Sequence, residues 1–231
     1  MTWRGRSRPG GSRPQGRAGQ ILRRAHRRLR SADPAQSAVS AHELLQARQT
    51  LSFFVEHEAG QAAAEVGFGW VSDEVAPDRY DVLLAAFERC RASGEPLTVS
   101  SLFCDSTVYT DPKTNMAFRF WHDVSHVRLG LSFDLVDELE LALWHLSELT
   151  ARGFGPESVV WNLLHADIVG QIYVMAMVHR FPVEQGSFVI DCLQRGFNSG
   201  VLTECRLTSI EASLESDGQA AHAVKSELSG L

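Results

Sequence analysis

Lysine is almost missing from this chain: two residues against twenty arginines in 231. That imbalance reads as a GC-rich, bacterial type of coding bias and carries no mechanism. Acid is missing from the first thirty residues, which hold ten arginines and no Asp or Glu. The remainder therefore has 12 basic and 28 acidic residues, so the body is an acidic globule, a poor nucleic-acid binder by itself. The four cysteines (Cys90, Cys104, Cys192 and Cys205) form no CxxC pair. With no secretory signal visible they are expected as free thiols in a reducing compartment, which points to a cytoplasmic location. No stretch reaches the ~18 consecutive apolar residues of a membrane span. The longest apolar segment, "ADIVGQIYVMAMVHRF", is broken by Asp167, Gln171 and His179, and a buried helix with no transmembrane span is expected there. Neither a GxGxxG or Walker loop nor a GxSxG elbow is present, which removes the usual signatures of dinucleotide, nucleotide and serine-hydrolase chemistry.

What is present divides into three parts. Residues 1–32 are a basic arm, rich in Gly, Pro, Ser and Arg and expected to be disordered. Within it "ILRRAHRRLR" sets Ile21, Leu22, Ala25 and Leu29 among arginines. Residues 1–30 are thus a solvated tail, a docking segment for an anionic partner (a lipid surface or nucleic acid, the former making the protein peripheral to a membrane), or a transit peptide. Residues 33–206 read as a helical domain, and 207–231 as a polar C-terminal tail. Apolar content of 44% is ordinary for a globular core.

The periodicity predicts helices over about 39–63, 78–93, 112–129, 133–152, 156–180 and 184–195. "GEPLTVSSLFCDSTVYTDPKT" is expected to be loop with at most a short strand. Asp111-Pro112 is a helix start, and Gly130, "RGFG" and "RFP" are breaks. Short connections between long helices imply an all-α, antiparallel helical bundle.

The segment "AFRFWHDVSHVRLG" places His122, Asp123 and His126 within an aromatic-rich helix. His122 and His126 are four residues apart and project from one face about a turn apart. Such a pair grips a divalent metal, and Asp123 lies near enough to share that side. If the helix ends at Gly130 and Ser132 caps the next, His126 lies about 6 Å and His122 about 12 Å below the turn. Glu138 then returns at about 9 Å, level with the gap between them, whereas Glu140 points ~200° away. The candidate metal ligands are therefore His122, Asp123, His126 and Glu138, for a divalent metal with zinc as first choice. The alternative is a pair of core histidines bonded to backbone or carboxylate, with no metal.

His122-Asp123-Val124-Ser125-His126, eleven residues and Glu138 read HDxxH-x11-E. This resembles the zinc-ligand signature of the fourth protein of the ubiquinone-biosynthesis (Coq) complex, and "LELALWHLSEL" resembles that family's next helix. The likeness spans roughly residues 109–150. It implies an all-helical, membrane-associated protein in which His122, Asp123, His126 and Glu138 hold the metal. It also implies decarboxylation and hydroxylation of a prenylated ring.

Asp123 and His165 are the candidates for proton transfer, His165 being otherwise a core histidine. His145, seven residues after Glu138, is expected in the core or on the helix surface. Asp167 and Gln171 could orient ligands, though a solvated stripe is the commoner role of such a pair. Three functions compete. The first is a metal-dependent enzyme (a lyase, hydroxylase or hydrolase) acting on a small apolar or ring substrate. The second is an HD-type phosphohydrolase using His57, His122-Asp123 and Asp167. The third is a non-enzymatic scaffold whose metal only staples helices while the arm docks. A di-iron bundle lacks its doubled ExxH, and a zincin peptidase lacks the HExxH glutamate.

Overall fold

The computed structural model describes residues 39–207 apart from 103 and 106. The Arg-rich arm expected over 1–32 and almost all of the tail expected over 207–231 lie outside the described residues.

The described chain is mostly helical. Its elements are α1 (Ala41–Val66), β1 (Trp70–Asp73), α2 (Tyr80–Ser93), β2 (Leu97–Ser100), α3 (Pro112–Leu129), α4 (Leu135–Ala151), α5 (Val159–Val178) and α6 (Gln185–Arg195). Residues 197–207 are helical as well. The sequence points to most of the helices but not to the sheet. β1 and β2 pair in parallel, Trp70 opposite Leu97 through Asp73 opposite Ser100. A parallel pair cannot be closed by a tight turn, so α2 serves as the crossover. In β2, Leu97 and Val99 are buried while Thr98 and Ser100 are half-buried, the alternation of a strand with one covered face.

α1 buries Ala47, Leu51, Phe54, Val55, Ala59 and Ala62, a stripe at helical spacing. It packs on α3 and α5, while α3 also meets α2, α4 and both strands. Trp70 of β1 stacks on Phe120 of α3 with centroids 4.8 Å apart. The Arg119 guanidinium donates to the Ser100 carbonyl at 2.6 Å, tying α3 to β2. From the other side Arg48 of α1 donates to the carbonyls of Val108 at 2.8 Å and Tyr109 at 2.6 Å. The loop leading into α3 is thereby fixed at both ends.

α5 buries Leu163, Leu164, Ala166, Asp167, Ile168, Val169 and Val174. It packs against α1, α4 and α6. By length and composition α5 is long and apolar enough to cross a membrane, alone among the described helices, although the sequence contains no unbroken apolar run of that length. Half of its apolar window is buried inside the fold. Asp167 on it is buried too, so the solvated Asp167/Gln171 stripe is a misreading. Gln185 of α6 donates to the Asp167 carboxylate at 2.9 Å, and the Tyr109 hydroxyl approaches it at 3.4 Å. Burial raises the Asp167 carboxyl to about 6 despite these donors, and burial beside that carboxylate raises the Tyr109 phenol well above its usual range. All four cysteines are free.

Candidate metal centre

The start of α3 is set by Asp111, whose carboxylate accepts from the Lys113 N–H at 2.7 Å, with Pro112 in the first turn. Its end is set by Gly130 in the left-handed conformation at φ 70°. Leu131 N–H donates back to the His126 carbonyl at 3.0 Å. α4 begins later than the spacing implies. Asp134, not Ser132, is its N-cap residue, and the Asp137 carboxylate accepts from the Ser132 N–H at 2.7 Å and hydroxyl at 2.6 Å. The longer turn leaves Glu138 in the first turn of α4, and it still arrives opposite the histidines.

Nε2 of His122 lies 3.4 Å from Glu138 Oε2, and Nε2 of His126 lies 3.4 Å from Glu138 Oε1. The two imidazole Nε2 atoms are 2.9 Å apart. One donor atom from each of the three residues falls within 4.8 Å of the others, and this is the grouping able to hold a metal among the described residues. A four-coordinate metal with bonds of roughly 2.0–2.1 Å sets its ligand atoms roughly 3.3 Å apart. The two N···O distances meet that spacing, and the N···N distance is shorter.

The outer nitrogens show which way the lone pairs point. His126 is fully buried, and its Nδ1 faces the Leu131 carbonyl at 3.1 Å. A carbonyl only accepts, so Nδ1 carries the proton and, in the neutral ring, Nε2 turns a bare lone pair inward. That lone pair faces a carboxylate oxygen and a second imidazole nitrogen; where His122 also carries its proton on Nδ1, three acceptors converge and a cation satisfies them. The donor set therefore fits a divalent metal on this structure's own evidence. Burial pushes the Glu138 carboxyl up, but imidazoles that donate to it or carry charge hold it at about 2, so beside protonated histidines it is ionised. Burial pulls His122 below its ordinary value, against the opposing pull of Glu138.

Asp123 is not one of the three converging residues. It stands beside them, its carboxyl raised by burial to about 7, with Glu138 pushing the same way and His126 and Arg119 opposing. His165 is elsewhere: its ring stacks on Trp161 at 4.7 Å and meets Phe197 at 4.4 Å. His57 is exposed on α1 and Asp167 is engaged with Gln185; neither is among the residues that converge with His122.

His145 is the residue whose part at the site sequence reasoning missed. It is fully buried, and its Nε2 lies 3.2 Å from His122 Nδ1. Trp121 at 4.1 Å, Trp144 at 5.1 Å and Phe118 at 5.4 Å enclose it. Burial first, then the neighbouring histidines, pull it well below its ordinary value, so it is neutral. Its signal in the sequence was the seven-residue offset that puts it on the same face of α4 as Glu138.

Comparison with known proteins adds nothing to this geometry: no family model, no curated protein and no solved structure matches the chain.

Proposed function

We propose that this protein is a zinc-type metalloenzyme whose ion is held by His122, His126 and Glu138, set between helices of an antiparallel bundle. One observation carries the proposal: two imidazole Nε2 atoms and a carboxylate converge, and the Leu131 carbonyl obliges His126 to present a lone pair to the others. Three protein ligands of the His, His, Glu type leave a coordination position open, the mark of catalytic rather than structural zinc. The partial exposure of His122 and Glu138, 23% and 27% at the side chain, supports access from solvent. When bound, the metal supplies Lewis acidity, polarising a carbonyl or acidifying water.

The chain's own residues have separate tasks. Glu138 turns one oxygen to each histidine and so links α4 to α3. Asp123 is assigned as a further ligand of the centre, as the HDxxH-x11-E resemblance implies, or as its proton carrier when the metal leaves it free. The same resemblance is the ground for a small apolar or ring compound as substrate. The Arg-rich residues 1–30 are assigned to docking on an anionic surface, and deletion of that segment would abolish vesicle binding.

A purely structural metal is the second reading, favoured by the small contact between α3 and α4, which a shared ion would reinforce. Metal analysis of purified protein tests the shared premise. About one equivalent of metal is expected in the native chain and almost none in His122→Ala or Glu138→Ala. Metal content far below one equivalent and unchanged by either substitution would refute it. A structural ion would raise the unfolding temperature without leaving a site for exchangeable small ligands such as cyanide or sulfonamide, whereas a catalytic one would bind them.

A further inference from the structure

Of all the polar side-chain atoms buried in the described residues, Nδ1 of His145 alone has no hydrogen-bond partner. Its other nitrogen faces a metal-ligand candidate. We infer that His145 is a positioning residue of the metal centre: it accepts a hydrogen bond from Nδ1–H of His122 and so fixes the lone pair of His122 Nε2 toward the metal. The inference rests on the metal reading and goes beyond it, since neither the spacing nor the HDxxH-x11-E resemblance gives His145 a role.

A metal-binding histidine almost always donates its second ring N–H to an acceptor, which fixes both tautomer and ring angle. For His126 that acceptor is the Leu131 carbonyl. For His122 the structure offers the His145 ring, with Nε2 at 3.2 Å from Nδ1. The bond can run in only one direction if Nε2 of His122 is to ligate. His122 must then carry its proton on Nδ1, and His145 must accept on Nε2 and hold its own proton on Nδ1, a buried N–H without an acceptor whose cost the metal bond must offset. The opposite tautomer of His145 would donate to His122 Nδ1 and force the His122 proton onto Nε2. There it would point at His126 Nε2, 2.9 Å away, and close the site to a cation. The aromatic enclosure of Trp121, Trp144 and Phe118 keeps His145 from turning away.

Zinc titration of the native full-length chain, His145→Phe and His145→Gln tests this, together with nitrogen-15 NMR of labelled histidines in the zinc-loaded native protein. Phe keeps a ring in the aromatic enclosure but cannot accept, so its zinc affinity should fall about 10–100-fold. Gln offers an amide oxygen and should restore most of that loss. NMR should show His145 as the Nδ1–H tautomer. An unchanged affinity in His145→Phe overturns the inference, as does an equal loss in Phe and Gln, or an Nε2–H tautomer for His145. If His145→Phe fails to fold, the NMR result on the native protein decides alone. Failure of the native chain to bind zinc would instead refute the metal reading itself, a separate outcome.

Discussion

Leu131 and His126 hold each other twice. The Leu131 N–H donates to the His126 carbonyl at 3.0 Å, and the His126 ring donates from Nδ1 to the Leu131 carbonyl at 3.1 Å. The turn that ends α3 is therefore also the device that sets the tautomer of a candidate ligand. Local backbone geometry and site chemistry meet in one pair of residues.

Gly130 makes that pairing possible, because only its left-handed φ of 70° brings Leu131 back over the last turn. A Cβ there would meet nothing within 4 Å, so the cost of Gly130→Ala is conformational and not steric. We expect a destabilisation of about 1 kcal/mol, read as a lower urea midpoint. Metal affinity should fall with it, because the Leu131 carbonyl loses its fixed place. Loss of stability with unchanged metal affinity would separate the turn from the site.

Asp167 gives the fold a pH dependence of definite sign. Its carboxyl titrates at about 6 in the fold against 3.8 ordinarily, because burial penalises the charge. Between those values the folded chain keeps a proton that the unfolded chain has lost. This contribution is therefore most favourable below about pH 4 and is lost as pH rises through about 6, by about 3 kcal/mol in all. Asp167→Asn should remove that slope while keeping an oxygen for Gln185. Unfolding free energies of the two proteins from pH 4 to 7 should converge at low pH and diverge at high pH, with the Asn variant the more stable. Parallel curves would contradict it.

At Gly200 the 197–207 helix lies against the backbone of α6. A Cβ at this position would lie 2.7 Å from Cys192 Cα and 2.8 Å from its backbone nitrogen, contacts that a side-chain rotation cannot relieve. Gly200→Ala should cost about 1–3 kcal/mol, visible as a lower unfolding temperature. Gly60, whose Cβ would meet nothing within 4 Å, provides the control; Gly60→Ala should not destabilise.

The legible parts of this sequence were those governed by local chemistry. α3 runs from Pro112 to Leu129 as expected, because the Asp111-Pro112 start and the Gly130 stop are written in adjacent residues. The convergence of His122, His126 and Glu138 followed from helical spacing and one turn, and it survives a turn longer than expected. β1 was invisible: "WVSD" is four residues, mostly exposed, and pairs with a strand 27 positions away in register. α5 is apolar nearly all round, so no single stripe showed that Asp167 would be buried or that His165 would turn toward Phe197. The seven-residue offset sets His145 on the Glu138 face of α4, but its contact with His122 depends on a ring from another helix.

The central claim is that His122, His126 and Glu138 hold a metal, and zinc X-ray absorption on the loaded native chain tests it most directly. The account expects an N/O shell at roughly 2.0–2.2 Å with scattering from two imidazoles, and loss of one imidazole in His126→Ala. A sulfur shell near roughly 2.3 Å, or a spectrum unchanged in His126→Ala, would contradict it.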